Sequence, residues 1–152
     1  MEYLDGPRDA DCFFCAANAA DRSLDAENLV LFRGDSSLVI LNKFPYNTGH
    51  ILVAPTLHMG DLTDLEIGTR DEMMALVVRS VESLKKAMNP QAFNLGANMG
   101  ESAGAGVPGH FHFHVVPRWS GDTNFMPVVG KTKVLPETLG ETFDRVKGGF
   151  GK

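Results

Sequence analysis

Three histidines occupy alternate positions in the run His110-Phe111-His112-Phe113-His114, which continues into Val115-Val116-Pro117. Successive side chains of an extended chain point to opposite faces. His110, His112 and His114 therefore share one face, with about 7 Å between neighbours, while Phe111, Phe113 and Val115 share the other. The second set is an ordinary core face. The first gains no packing that Val or Thr would not supply, and it crowds groups that titrate near neutral pH. A lone histidine on such a face is usually a satisfied surface or core residue, whereas three in register point to a site. Two chemistries fit them. The imidazoles could share one metal ion. Alternatively, the stretch Gly100-Glu101-Ser102-Ala103-Gly104-Ala105-Gly106 just ahead of the run offers backbone N–H groups to an anion. A neutral imidazole beside a bound phosphate is a competent nucleophile toward phosphorus. Its neighbours would donate to oxygens whose negative charge grows in the transition state. The loop and the histidines in series favour the phosphorus chemistry.

The two cysteines stand together as Cys12-Phe13-Phe14-Cys15. In a reducing compartment this spacing points to a metal half-site or a redox pair rather than to a structural disulfide. A redox pair normally opens a helix after a strand, and nothing upstream of Cys12 resembles a strand. A zinc half-site needs two further ligands, which the histidines can supply. Metal is the preferred reading, with buried free thiols as the alternative.

These residues need elements to hold them. The chain has 152 residues, enough for one compact domain with a real core. Its apolar fraction of 43% and charged fraction of 22% are ordinary for a soluble protein. The net charge of −5, without a block of like charge, argues against a nucleic-acid partner held by its phosphate backbone. Apolar stretches such as Ile51 to Pro55 are too short to span a bilayer. The acidic beginning MEYLDGPRDADC lacks the apolar segment of a signal peptide, so a cytoplasmic protein without a membrane partner is expected.

Asn28 to Arg33 and Leu38 to Asn42 read as a hairpin around Gly34-Asp35-Ser36, and His50 to Ala54 as a third strand ended by Pro55. Thr69-Arg70-Asp71-Glu72 fits a capping box, and Met73, Val77, Val81, Leu84 and Met88 share one face of a long helix that Asn89-Pro90 stops. Phe93 to Asn98 reads as a fourth strand, His110 to Pro117 as a fifth, and a last helix is expected from near Pro136 to before Gly148. That order favours an α+β fold with a mostly antiparallel sheet.

His-Phe-His-Phe-His-Val-Val resembles the signature of the histidine triad family of nucleotide hydrolases and transferases, three histidines each followed by an apolar residue. Asn42 lies eight residues before His50 in Asn-Lys-Phe-Pro-Tyr-Asn-Thr-Gly-His, as in the fragile-histidine-triad branch. Gly49-His50-Ile51-Leu52-Val53-Ala54-Pro55 is similar to a second strand motif of the family. The tail from Val116 to Phe125 looks most like the bacterial branch that contains diadenosine tetraphosphate phosphorylases.

The resemblance covers about residues 12 to 140 and implies a single domain of HIT-like fold over 1–152. It implies that His112 attacks the α-phosphate of an adenosine nucleotide and carries AMP, while His114, held by His50, contacts the scissile phosphate. Asn42 resembles a ribose ligand, and Asn98 matches an asparagine that touches phosphate. Ser102, Gly104 and Gly106 belong to the expected phosphate loop. Many members place Ser, Thr or Gln shortly before the first histidine, where this chain has Gly106-Val107-Pro108-Gly109. Zinc-bearing relatives use a pair of cysteines, a histidine after the second strand motif and the first triad histidine, here Cys12, Cys15, His58 and His110.

The resemblance thus implies structural zinc, no organic cofactor, a homodimer, and a dinucleoside polyphosphate or related adenylyl substrate. Water or phosphate is the acceptor, and the tail tilts toward phosphate. A phosphoramidase and a nucleotide-binding regulatory protein with little turnover are the alternatives, together with a metalloenzyme using all three strand histidines.

Overall fold

The computed structural model describes residues 11–123, 129–130 and 136–151. Strands β1 (Val30–Arg33), β2 (Ser37–Leu41), β3 (Ile51–Pro55), β4 (Ala92–Gly96) and β5 (Phe113–Arg118) form one sheet in the order β1-β2-β3-β5-β4, with every neighbouring pair antiparallel. With its helices this is the expected α+β architecture.

All residues of β2 and β3 are buried because both faces of the sheet's middle are covered. Alternation divides them. Val39, Leu41, Ile51 and Val53 join the core beneath α2 (Ile67–Met88), whereas Leu38, Ile40, Leu52 and Ala54 pack with Phe14 of α1 (Phe13–Ala19). Two-sided burial is why these strands read as unbroken apolar runs. Met73, Val77 and Leu84 are buried on α2 as their spacing predicts, with Val81 and Met88 packed against the same core. Asn89 ends α2 in the left-handed conformation, φ 47°. The last helix, α3 (Leu139–Lys147), starts from a complete capping box between Thr138 and Glu141 and puts Phe143 and Val146 into the α2 core.

Several details differ from the sequence reading. Helix α2 begins at Ile67 behind Glu66, not at a capping box from Thr69 to Glu72. Glu72 instead accepts hydrogen bonds from Asp35 N at 2.7 Å and from Ser36 N and Oγ, both at 2.8 Å. Three donors of a tight turn outweigh the single donor that a capping box would offer. β4 stops at Gly96, short of Asn98. β3 starts one residue after His50.

Lastly, His110, Phe111 and His112 precede the ladder, and only His114 lies in β5. Their backbone follows other partners, with His110 N bonded to Val107 O and Phe111 N to Met59 O. The alternation nevertheless survives, for Phe111, Phe113 and Val115 all face the α2 core. Asn124 and Phe125 of the tail motif lie outside the described residues. Among the described residues no helix is long and apolar enough to cross a membrane.

Candidate active site and metal centre

His50 is fully buried where the chain enters β3. Gly49 delivers it there with φ +83°, and a Cβ on Gly49 would meet Met88 Sδ at 2.7 Å. His50 Nδ1 lies 3.1 Å from Tyr46 N and 3.2 Å from Asn42 Nδ2. A backbone N–H only donates, so Nδ1 is the acceptor and the proton of His50 sits on Nε2. That proton points at His114 Nδ1, 2.9 Å away. His114 Nδ1 therefore accepts, and His114 carries its own proton on Nε2.

The same reasoning orients the other two triad histidines. His112 Nδ1 is 2.8 Å from His110 O. A carbonyl only accepts, so Nδ1 holds the proton and Nε2 keeps a free lone pair. His110 Nε2 is 2.8 Å from Pro55 O, which leaves His110 Nδ1 unprotonated. Burial pushes His112 below its ordinary pKa, although the bond to the His110 carbonyl opposes the shift. Burial, and then the charge of His112, lowers His114 to about 4. Both imidazoles are therefore neutral at neutral pH.

His110 Nδ1 faces Cys12 Sγ at 3.3 Å, Cys15 Sγ at 3.6 Å and His58 Nδ1 at 3.3 Å. Cys15 Sγ is 3.3 Å from His58 Nδ1, and all four ligand atoms fall within 4.8 Å of one another. Tetrahedral bonds of about 2.3 Å to sulfur and 2.0–2.1 Å to nitrogen would separate such atoms by roughly 3.3–3.8 Å. The donor set and its spacing fit one metal ion. Gly109 makes room for this cage, since a Cβ there would lie 2.9 Å from His58 Nε2. That gives Gly109 a steric reason to stand in the stretch where relatives are expected to carry a polar side chain. Phe14, between the two cysteines, packs at a tilt against both His110 and His112, with ring centroids at 4.8 and 5.0 Å.

The remaining sequence candidates fall into two groups. Asn42 joins the histidine cluster, and both ends of its amide are engaged, because Oδ1 accepts from Phe44 N at 2.9 Å. Ser102, Gly104 and Gly106 lie exposed and Asn98 half-exposed on the loop around the 3-10 turn Glu101–Ala103. Asn98 Nδ2 donates to Gly104 O there, at 3.4 Å. Gly100 and Gly104 both take positive φ, 88° and 85°. Two neighbours of the histidines, Tyr46 and Phe14, were not singled out in the sequence. An aromatic residue in a polar turn and one between paired cysteines were the available signals.

The HIT domain model matches residues 23–121, more than half of the chain. The chain belongs to the HIT family. An AP-4-A phosphorylase of Mycobacterium tuberculosis is 42% identical over 118 residues, covering 78% of this HIT chain and 60% of the relative. This chain thus spans about 60% of the length of that relative. A HIT-like protein of Methanocaldococcus jannaschii is 31% identical over 90% of this chain and 99% of its own length. Among solved structures, a zinc-bound histidine triad family protein from Mycobacterium smegmatis aligns with TM-score 0.72 and 28% identity, over 91% of this HIT chain and 92% of that one.

Proposed function

We propose that this HIT protein transfers the adenylyl group of dinucleoside polyphosphates, or of related adenylyl compounds, through a covalent AMP on His112, with inorganic phosphate as the acceptor. The observation that carries this reading is the His112 Nδ1–H bond to the His110 carbonyl, which leaves Nε2 with its lone pair free. The lone pair attacks the α-phosphorus, and the P–O bond to the leaving phosphate breaks with its electron pair. The positive charge that develops on the imidazole is met by the His110 carbonyl at Nδ1–H. His114, held by His50, presents its Nε2–H to the phosphate oxygens as their charge grows. The glycine-rich loop with Asn98, Ser102, Gly104 and Gly106 binds the polyphosphate. Phosphate then attacks the adduct, and AMP leaves His112 as ADP. The 42% identity to a protein named AP-4-A phosphorylase supports phosphate as acceptor.

Zinc is the ion that Cys12, Cys15, His58 and His110 fit, and it supplies a cross-link between α1 and the loops before the reacting histidines. His110 is then a ligand with no part in proton transfer. Neither cysteine is in a disulfide, which suits the reducing cytoplasm. A second copy of the chain is the partner we expect, because apolar Met74 and Val78 of α2 and Leu95 of the edge strand β4 are exposed.

Incubating the protein with diadenosine tetraphosphate, with and without phosphate, tests the chemistry. The expected products are ADP and ATP, formed only with phosphate present. AMP and ATP in its absence would assign water as the acceptor. His112→Asn must abolish turnover and the acid-labile AMP adduct, and surviving turnover would overturn the covalent mechanism.

A further inference from the structure

Tyr46 sits in the turn before His50, and its ring lies over the pair His50 and His114. The ring is nearly parallel to His114, at 10° with centroids 5.7 Å apart, and is tilted 43° against His50 at 4.7 Å. Its own backbone N–H reaches His50 Nδ1 at 3.1 Å. One residue thus fixes the pair from both ends. Its turn neighbour Phe44 is more exposed, 80% against 62% for Tyr46, and shows no comparable ring stacking among the described residues.

The pair depends on one hydrogen bond, His50 Nε2–H to His114 Nδ1 at 2.9 Å. Only while that bond stands must His114 carry its proton on Nε2. If water replaces His50, His114 can move its proton to Nδ1, and the nitrogen turned toward the site becomes an acceptor. An acceptor repels phosphate oxygens where a donor would bind them. An aromatic ring laid over both imidazoles takes the volume that competing water would need.

We propose that Tyr46 is a positioning residue, whose ring excludes water from the His50–His114 hydrogen bond and so keeps the Nε2–H of His114 presented to the reacting phosphate. What His114 does in turnover rests on the adenylyl-transfer reading, but the state of the bond does not.

The test is imidazole 1H–15N spectroscopy on the full chain without substrate, following exchange of the His50 Nε2 proton with water. Tyr46 is mostly exposed, so its substitution leaves the core intact. Tyr46→Ala should speed this exchange about tenfold, the factor that corresponds to losing the net free energy of one hydrogen bond. Tyr46→Phe should keep exchange slow. In turnover, Tyr46→Ala should lower kcat and leave KM unchanged, as befits a group acting through the transition state. Equal exchange in Tyr46→Ala and the native chain would overturn the proposal. So would fast exchange in Tyr46→Phe, which would shift the effect to the hydroxyl, or a raised KM at constant kcat, which would make Tyr46 a substrate contact. Should the native protein form no AMP adduct while the exchange pattern holds, the adenylyl-transfer reading fails and the role of Tyr46 stands.

Discussion

Each of the buried histidines gives one ring nitrogen to the fold and keeps the other for the site. His110 spends Nε2 on Pro55 O and His112 spends Nδ1 on His110 O, so one turns Nδ1 to the cluster of Cys12, Cys15 and His58 and the other keeps Nε2 for the proposed reaction. These assignments have a consequence for pH. His114 falls from the ordinary 6.5 to about 4, chiefly through burial, so between these values the unfolded chain binds a proton that the folded one does not. The stabilising contribution of neutral His114 is thus complete above about pH 6.5 and is lost as pH falls toward 4. Urea midpoints should decline over that window, and activity with them, since protonating His114 Nδ1 breaks the bond to His50. A flat urea profile from pH 7 to 4.5 would contradict this.

Asn42→Ala should lower kcat about tenfold, the factor for one lost hydrogen bond, with KM moving less if Asn42 serves His50 rather than a ribose. The residue types at the site were legible from the sequence, because three histidines in alternation and two cysteines at metal spacing have few other uses. The partner of Asn42 was not legible. Its contact depends on how the turn at 43–49 folds back, and spacing along the chain does not report that.

At the scale of elements, the short helix α1 has no side-chain N-cap, so its packing must hold it, with zinc at the proposed Cys/His site as the second tie. Cys12→Ser should reduce bound zinc measured by atomic absorption and speed amide exchange in α1, with β2 unaffected. Chelation should reproduce that pattern.

Glu72 ties α2 to the β1–β2 turn. Burial alone would raise its pKa, yet the donors of Ser36 and Asp35 hold the carboxyl below the usual range. Glu72→Ala should cost roughly 1 kcal/mol in thermal or urea unfolding, discounted for its solvent exposure. The helix itself was legible from Met73, Val77 and Leu84, whose spacing places them on one buried face. Its start was not, because a capping-box pattern and a glutamate clamping a distant turn look the same in one dimension.

For the whole molecule, β4 is one edge of the sheet, and Ala92, Asn94, Leu95 and Gly96 are exposed on it. Leu95→Arg should convert the expected dimer to monomer in analytical ultracentrifugation, while a sedimentation profile matching the native chain would remove this edge from the interface. The antiparallel α+β class was legible in the order of elements. The insertion of β5 between β3 and β4 was not, since apolar runs do not state who pairs with whom.

That insertion also sets when the chemistry can first exist. His50 and His114 are 64 positions apart and come together only when β5 has seated beside β3. Long-range strand pairing is the slow part of assembling such a sheet. A nascent or partly folded chain therefore carries all its imidazoles yet lacks the His50–His114 pair. On the adenylyl-transfer reading, reactivity would be switched on once, by the same event that completes the sheet.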